Sequence, residues 1–338
     1  VAARTYALRR RADRGDKKYD VVDTTADQVY FGYSADYANA IAAVEATKGL
    51  CARCNGDYAV CYYTATNGGQ TARAGDILNA PAADAYLDVR DDPYDLENPS
   101  SPVTTLAFSK DMSDAPEQLK SWLISAAAEQ LSAMGYSDET GDVRIERVPA
   151  IEGVNPRSAA PARDYQAMRF SYTVSARPLV PVYEKPAVSD AVFHAFTGTP
   201  MDQKIVGYEP GDWESVGETF TCDISVYDQL KDKLGLKISA IDCELATAIE
   251  EDDLFIIQLR RYGHGVGLSQ RGAQTMAGSY GMDFRAILGF YYPGLTIEAV
   301  MLADATADAL TGAKAAAAVQ DDAAILGAPK DGEYMAVV

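Results

Sequence analysis

Phe255-Ile256-Ile257-Gln258-Leu259 runs into Arg260-Arg261-Tyr262-Gly263-His264-Gly265-Val266-Gly267-Leu268-Ser269-Gln270, and a helical pattern then follows through Met276 and Tyr280. The apolar run predicts a buried strand. Glycines flanking a single histidine let the backbone turn sharply and bring the imidazole to a surface. Ser269 is placed to cap the helix, and Gln270 offers an amide to a ligand hydroxyl. The spacing is G-x-G-x-G, which is not the G-x-G-x-x-G of dinucleotide folds. Ser269 also lacks the G-x-S-x-G frame of a nucleophile elbow. A lone histidine is more often structural than functional. The glycine frame and the scarcity of histidine, with His194 the other, leave both readings of His264 open.

Working outward, Val1 to about Arg14 reads as a helix entered mid-pattern, so a signal or anchor segment is expected to have preceded it. Tyr19–Val22 and Gln28–Phe31 look like strands. Ser34 is a candidate N-cap for a helix bearing Tyr37, Ile41 and Val44, which Gly49 ends. Leu50–Thr64 reads as a hairpin turned at Asn55-Gly56, pairing Cys54 with Asp57 and Cys51 with Val60. In Thr66-Asn67-Gly68-Gly69-Gln70-Thr71, paired glycines allow positive φ or close approach of a ligand. Residues 79–103 read as loop. Leu119, Trp122, Leu123, Ala127 and Leu131 fall at helical spacing within 114–134. Residues 142–150 and 165–176 alternate as strands, and 225–235 reads as a short helix. Asp283 caps a last helix that ends near Phe290–Gly294. Residues 301–332 form an Ala- and Asp-rich linker, and 333–338 turns strand-like, as the start of a further domain. The fold class is α+β.

The formal charge of −19 argues against nucleic acid and anionic membrane as partners, since both require a basic footprint. No run is apolar enough to span a bilayer. Five cysteines, an odd number at low density, do not make a disulfide scaffold. On a continuous ribbon Cys51 faces away from Cys54 and Cys61, so the three cannot share a metal; a Cys222–Cys243 pair is left open. Tyrosine is abundant (21 residues), which suits sugar faces but also suits strands.

The run Gly263–Ala273 with Tyr291-Tyr292 downstream resembles the C-terminal signature of the stage II sporulation protein D family. Val1-Ala-Ala-Arg-Thr-Tyr6-Ala resembles that family's helix. Asp23-Thr24, Gln28-Val-Tyr30-x-Gly32, Ala46-Thr-x-Gly49, Gly68-Gly-x-Thr71 and Tyr86-Leu87 fall between them in family order. The likeness is dense over 1–95 and 252–298 and faint over 100–250.

The resemblance implies an extracytoplasmic lytic transglycosylase of the cell envelope. Such an enzyme cleaves the bond from N-acetylmuramic acid to N-acetylglucosamine and leaves a 1,6-anhydro end. One Glu serves as acid and then base, where ordinary glycosidases use two carboxyls. By the family's pattern that Glu lies upstream of Val1 and is absent here. The positions carried over are Arg4, Tyr86 and His264 as catalytic, and Tyr6, Gly68, Gly69, Thr71, Asp95, Ser269, Gln270, Tyr291 and Tyr292 as substrate-binding. Residues 1–98 and 252–300 are expected to form a discontinuous framework around a glycan groove, with 99–251 an inserted or second lobe. No metal and no cofactor are implied. The partners are peptidoglycan strands, with a cell-wall hydrolase or membrane-anchored protein beside them. Two rivals stand against this. One is a non-catalytic wall binder of the amidase-enhancer type. The other is a zinc-dependent hydrolase using His264, which two histidines serve poorly.

Overall fold

The computed structural model describes residues 1–14, 18–30, 32–83, 85–185, 195 and 204–300. The linker and terminal strand expected beyond 300, together with His194 and Phe31, lie outside the described residues.

Helix α1 spans Ala2–Arg14 and buries Thr5 and Tyr6. The segment after it contains no strand at Tyr19–Val22 or at 28–30. The buried Asp27 carboxylate organises it instead, accepting from the Val22 N–H at 2.9 Å and from Arg10 and Arg14 at 2.8 Å each. Burial opposes ionisation of Asp27, but the Val22 N–H and the two guanidinium groups outweigh it and hold the carboxyl below its ordinary range. Gln28 N–H bonds the Val22 carbonyl and Tyr30 N–H the Asp23 carbonyl, so these runs fold on one another and have no neighbouring strand to pair with.

Helix α2 spans Ala38–Ala46. Tyr37, not Ser34, occupies its N-cap position and supplies no side-chain cap; Ser34 closes a preceding turn by accepting from Asp36 N–H. Strands β1 (Leu50–Cys54) and β2 (Asp57–Tyr58) pair in the expected register, Cys54 with Asp57. Asn55 and Gly56 both have positive φ, 52° and 89°, as a type I′ turn requires. The ladder is shorter than the hairpin expected, because the chain leaves it after Ala59. The alternation that separated Cys51 from Cys61 therefore does not extend to Cys61, and both are fully buried. All five cysteines are free thiols, Cys222 and Cys243 included. Strand β3 (Tyr63–Thr64), helix α3 (Ala74–Leu78) and helix α4 (Pro93–Glu97) follow. Helix α4 falls inside the stretch expected to be loop.

The middle of the chain holds β4 (Val103–Ser109), α5 (Glu117–Ser132), β5 (Val143–Pro156), β6 (Tyr165–Ala176), β7 (Leu179–Tyr183), β8 (Ile205–Pro210), β9 (Glu214–Ser225), a wide helical turn at Val226–Lys233, β10 (Leu245–Glu251) and β11 (Leu254–Arg260). These strands pair antiparallel as β5-β6-β9, β10-β11-β4 and β7-β8. One hydrophobic cluster, running from Leu106 to Leu259, lies among α5 and the two three-stranded sheets. Phe108 stacks on Phe170 at 6.2 Å and meets Phe255 at 6.4 Å. Phe255, Ile257 and Leu259 of β11 all belong to this cluster.

Strand β12 (Leu268–Ser269), helix α6 (Gln270–Gly278), helix α7 (Phe284–Tyr291) and β13 (Thr296–Ala299) complete the described chain. Ser269 caps α6 and Asp283 caps α7, both as their sequence positions suggest. Strand β13 pairs with β1, and β12 pairs parallel to β3, which joins the two ends of the chain. A second hydrophobic cluster forms there, from Ala52, Cys61, Leu87, Val266, Met276, Tyr291 and Tyr292 among others. Mixed helices and predominantly antiparallel strands place the protein in the α+β class.

Candidate functional site

An apolar cavity of about 580 Å³ opens between the first residues of the chain and residues 268–288. One wall is α1, through Ala2, Ala3, Arg4 and Ala7; a second is α2 with its C-terminal residue, through Ala40, Ala43, Val44 and Thr47; a third is α7, through Phe284, Ile287 and Leu288. Tyr63, Leu268 and Gln270 form its base, and Gln28 joins its rim. The small alanine side chains on facing helices leave the space that larger residues would fill. Among the described residues, no Asp or Glu lines it.

The glycine-framed loop lies under this cavity. Leu268 N–H donates to the Tyr62 carbonyl at 3.1 Å, and a Cβ on Gly267, whose φ is 73°, would collide with that carbonyl oxygen. Glycine is therefore required there on both backbone and contact grounds. His264 is half-buried. Its Nδ1 accepts from Val266 N–H at 3.0 Å, and its ring meets the Tyr62 ring edge-on at 6.1 Å. Burial pushes its pKa down to about 4, the Arg261 charge adds to this, and a backbone hydrogen bond with Tyr63 opposes it. The imidazole is thus neutral near pH 7 and acts as a loop brace. Arg261 is itself buried, with φ 95°, and donates Nε to the Asn67 carbonyl at 2.9 Å and Nη2 to the Gln70 carbonyl at 2.8 Å. It ties the strand-to-loop junction to the residues on either side of the paired glycines, and Gly68 packs against it.

Two fully buried carboxylates lock α4 to α6. Asp95 accepts from Asn67 N–H at 2.6 Å, Ser101 Oγ at 2.9 Å and Ser269 Oγ at 2.6 Å. Asp92 accepts from Asn67 Nδ2 at 2.7 Å and Tyr291 OH at 2.6 Å, and it caps α4 through Asp95 N–H. Burial raises the pKa of Asp92, with the Tyr291 and Asn67 donors opposing. Ser269 Oγ also accepts from Gly272 N–H at 3.0 Å. Through this chain Asp95 fixes the start of α6, and with it Gln270 at the cavity base.

The residues expected to act separate into two groups. Arg4 and Gln270 line the cavity. Arg4 spends its guanidinium on the carbonyls of Thr47 at 2.6 Å and Leu50 at 3.0 Å, where it secures the C-terminal end of α2. The others support the site from beneath. Tyr6 is buried against Tyr62. Thr71 Oγ1 donates to the Asp88 carbonyl at 2.8 Å, and Gly68 and Gly69 sit tight against Arg261 and Leu96. Tyr86 OH accepts from Val60 N–H at 2.8 Å. Tyr292 OH donates to the Tyr62 carbonyl at 2.7 Å. Asp95, Ser269 and Tyr291 belong to the carboxylate lock. Sequence reading missed Gln28, Tyr63, Asn67, Asp92 and Arg261. Only Asp92 carried a local signal, an N-cap residue directly before Pro93.

Residues 1–52 match the model of the SpoIID family, described as a stage II sporulation protein. That match covers α1 and α2, two of the cavity's three helical walls. Over that segment the chain is similar to the SpoIID family. It is also 27% identical over 304 residues to the amidase enhancer of Bacillus subtilis (strain 168), an alignment covering 88% of this chain and 37% of that protein. The chain thus spans little more than a third of the length of that curated relative. Among the described residues, no group of His, Cys, Asp or Glu is arranged to hold a metal ion, and no helix is long and apolar enough to cross a membrane.

Proposed function

We propose that this protein acts on peptidoglycan outside the cytoplasm, with the cavity between α1, α2 and α7 as the place where a glycan strand is held. The supporting observation is that segments matching the family pattern at both ends of the chain, Ala2–Ala7 and Leu268–Gln270, meet in one cavity. Its polar groups are mostly uncharged amides and hydroxyls, from Gln28, Thr47, Tyr63 and Gln270, which suits acetamido sugars. On this reading 1–98 and 252–300 frame a groove and 99–251 forms a second lobe beside it.

The reaction proposed is lytic transglycosylase cleavage, in which the 6-hydroxyl of N-acetylmuramic acid displaces the leaving group. One carboxyl group protonates the departing oxygen and then accepts the 6-hydroxyl proton. None of the cavity-lining residues is that acid, and Asp92 and Asp95 are enclosed by their own donors. The acid is therefore assigned to a residue outside this lining. The same observation favours a second reading, wall binding without cleavage, and the name of the amidase-enhancer relative points the same way. Incubation of the protein with purified sacculi, followed by mass spectrometry and co-sedimentation, separates the two. Anhydro-muramyl ends support cleavage, and sedimentation without such ends supports binding. The absence of both signals would overturn the cell-wall proposal.

A further inference from the structure

The cavity-lining residues Gln28 and Ala40 bracket a stretch of chain that carries Tyr30, Tyr33 and Tyr37. These tyrosines are 51%, 68% and 45% exposed; Tyr19, Tyr183, Tyr208, Tyr262 and Tyr280 are also exposed, but none of those lies between two cavity-lining residues so close in sequence, and Tyr6, Tyr86, Tyr172, Tyr291 and Tyr292 are buried. The chain fixes where they stand. Gln28 Nε2 donates to the Ala3 carbonyl at 2.9 Å, which pins that end of the stretch to the first turn of α1. Tyr30 follows two residues later, so its Cα lies at most about 7 Å from that anchor. Tyr37 occupies the N-cap position of α2, three residues before Ala40 and at most about 11 Å from it. Tyr33 lies between them, joined to Tyr37 through the turn at Ser34.

Among the described residues, none of the three rings stacks on another ring or under a cation, and none of the three hydroxyls has a hydrogen-bond partner. Packing therefore does not account for them. Burial would favour a tyrosine here by covering its ring, yet each of the three keeps about half or more of its surface in solvent. A ring with an open face and a polar rim is suited to a ligand that presents alternating C–H faces and hydroxyls. A nucleic acid is excluded by the net charge of −19. A pyranose ring offers both features without charge.

We infer that Tyr30, Tyr33 and Tyr37 form an aromatic platform at the cavity rim that stacks sugar rings of a glycan strand beyond the unit held in the cavity. The inference rests on the proposed glycan-binding function and extends it to a chain several sugars long. It accounts for the exposure of the three rings, and for their position on a stretch of chain held at both ends by cavity-lining residues, Gln28 and Ala40. Short ligands should need only the cavity, while long strands should use the platform too.

The test is co-sedimentation of the protein with purified sacculi, alongside binding of a soluble glycan disaccharide. Each Tyr→Ala substitution is expected to weaken strand binding by about two- to tenfold, and the triple variant by more than any single one. Tyr→Phe at the same positions is expected to retain most of the binding, because the face is kept. Disaccharide binding should be unchanged in all of them. The thermal midpoint should also be unchanged, since the rings are exposed, and this separates lost contact from lost fold. If the triple variant sediments as the parent does while Gln270→Ala reduces binding, the platform is refuted and the cavity stands. If the parent protein itself does not sediment, the glycan-binding function and the platform fall together.

Discussion

Replacing His264 with Asn should make the protein less sensitive to acid. The imidazole Nδ1 accepts from Val266 N–H at 3.0 Å, and an asparagine Oδ1 stands at nearly the same place, so the loop keeps its brace while losing its titrating group. In the unfolded chain the imidazole titrates near its ordinary value of 6.5, whereas in the fold its pKa is about 4. The folded-state value is the lower one, so the unfolded chain binds the extra proton and stability falls as pH falls through this interval. A difference of this size corresponds to about 3 kcal/mol, drawn in between roughly pH 6.5 and pH 4. Above pH 7 the histidine makes no pH-dependent contribution. The assay is urea unfolding of parent and variant at pH 7.5, 6, 5 and 4, read as the difference between the two proteins so that shared carboxylates cancel. The parent should lose about 3 kcal/mol more than the variant across the range. The chain has only two histidines, so the imidazole proton resonances can be followed alongside. Parallel pH curves for the two proteins, or a His264 resonance titrating near 6.5, would refute the reasoning.

Two further substitutions test the carboxylate lock. Asp95→Ala strands three buried donors, from Asn67, Ser101 and Ser269, and should lower the unfolding free energy by about 4 kcal/mol in urea titration at pH 7. Gly272→Ala reverses the usual sign for an alanine in a helix, which ordinarily gains about 1 kcal/mol. Its Cβ would overlap the Tyr291 hydroxyl and stand 2.7 Å from Asp92 Oδ2, so a loss of about 2 kcal/mol is expected by calorimetry. A gain in stability would show that α4 and α6 are not pressed together as described.

The local features of the fold were legible wherever one element carried its own signal. Alternation marked β6 to its ends, apolar spacing marked α5, and Asn55-Gly56 set the register of β1 with β2. What was missed depends on partners far away in sequence. Strand β13 is four residues long and becomes a strand only because β1 lies beside it. Residues 19–22 have strand composition but no neighbour, and Asp27 takes their backbone instead. The site shows the same division. Glycines at 263, 265 and 267 announced a tight loop, but not that Tyr62 and Arg261 are what it is tight against. Nothing in the neighbourhood of Asp95 says that Ser269 will bond to it across 174 residues.

The register of β4 against β11 sets Val103 opposite Arg260, so the chain enters and leaves the first hydrophobic cluster at adjacent points. This bears on the order of assembly during synthesis. Residues 103–260 can close their own sheets as they emerge, with no need of what comes later. The α1–α4 region must wait for β12, α6 and α7, because β3 has no partner strand until Leu268 arrives. Once β4 and β11 are zipped, two segments more than 160 residues apart in the chain behave as though joined by a short loop. Most of the closure entropy has by then been met by the middle of the protein. The cavity is therefore the last part of the described chain to take shape.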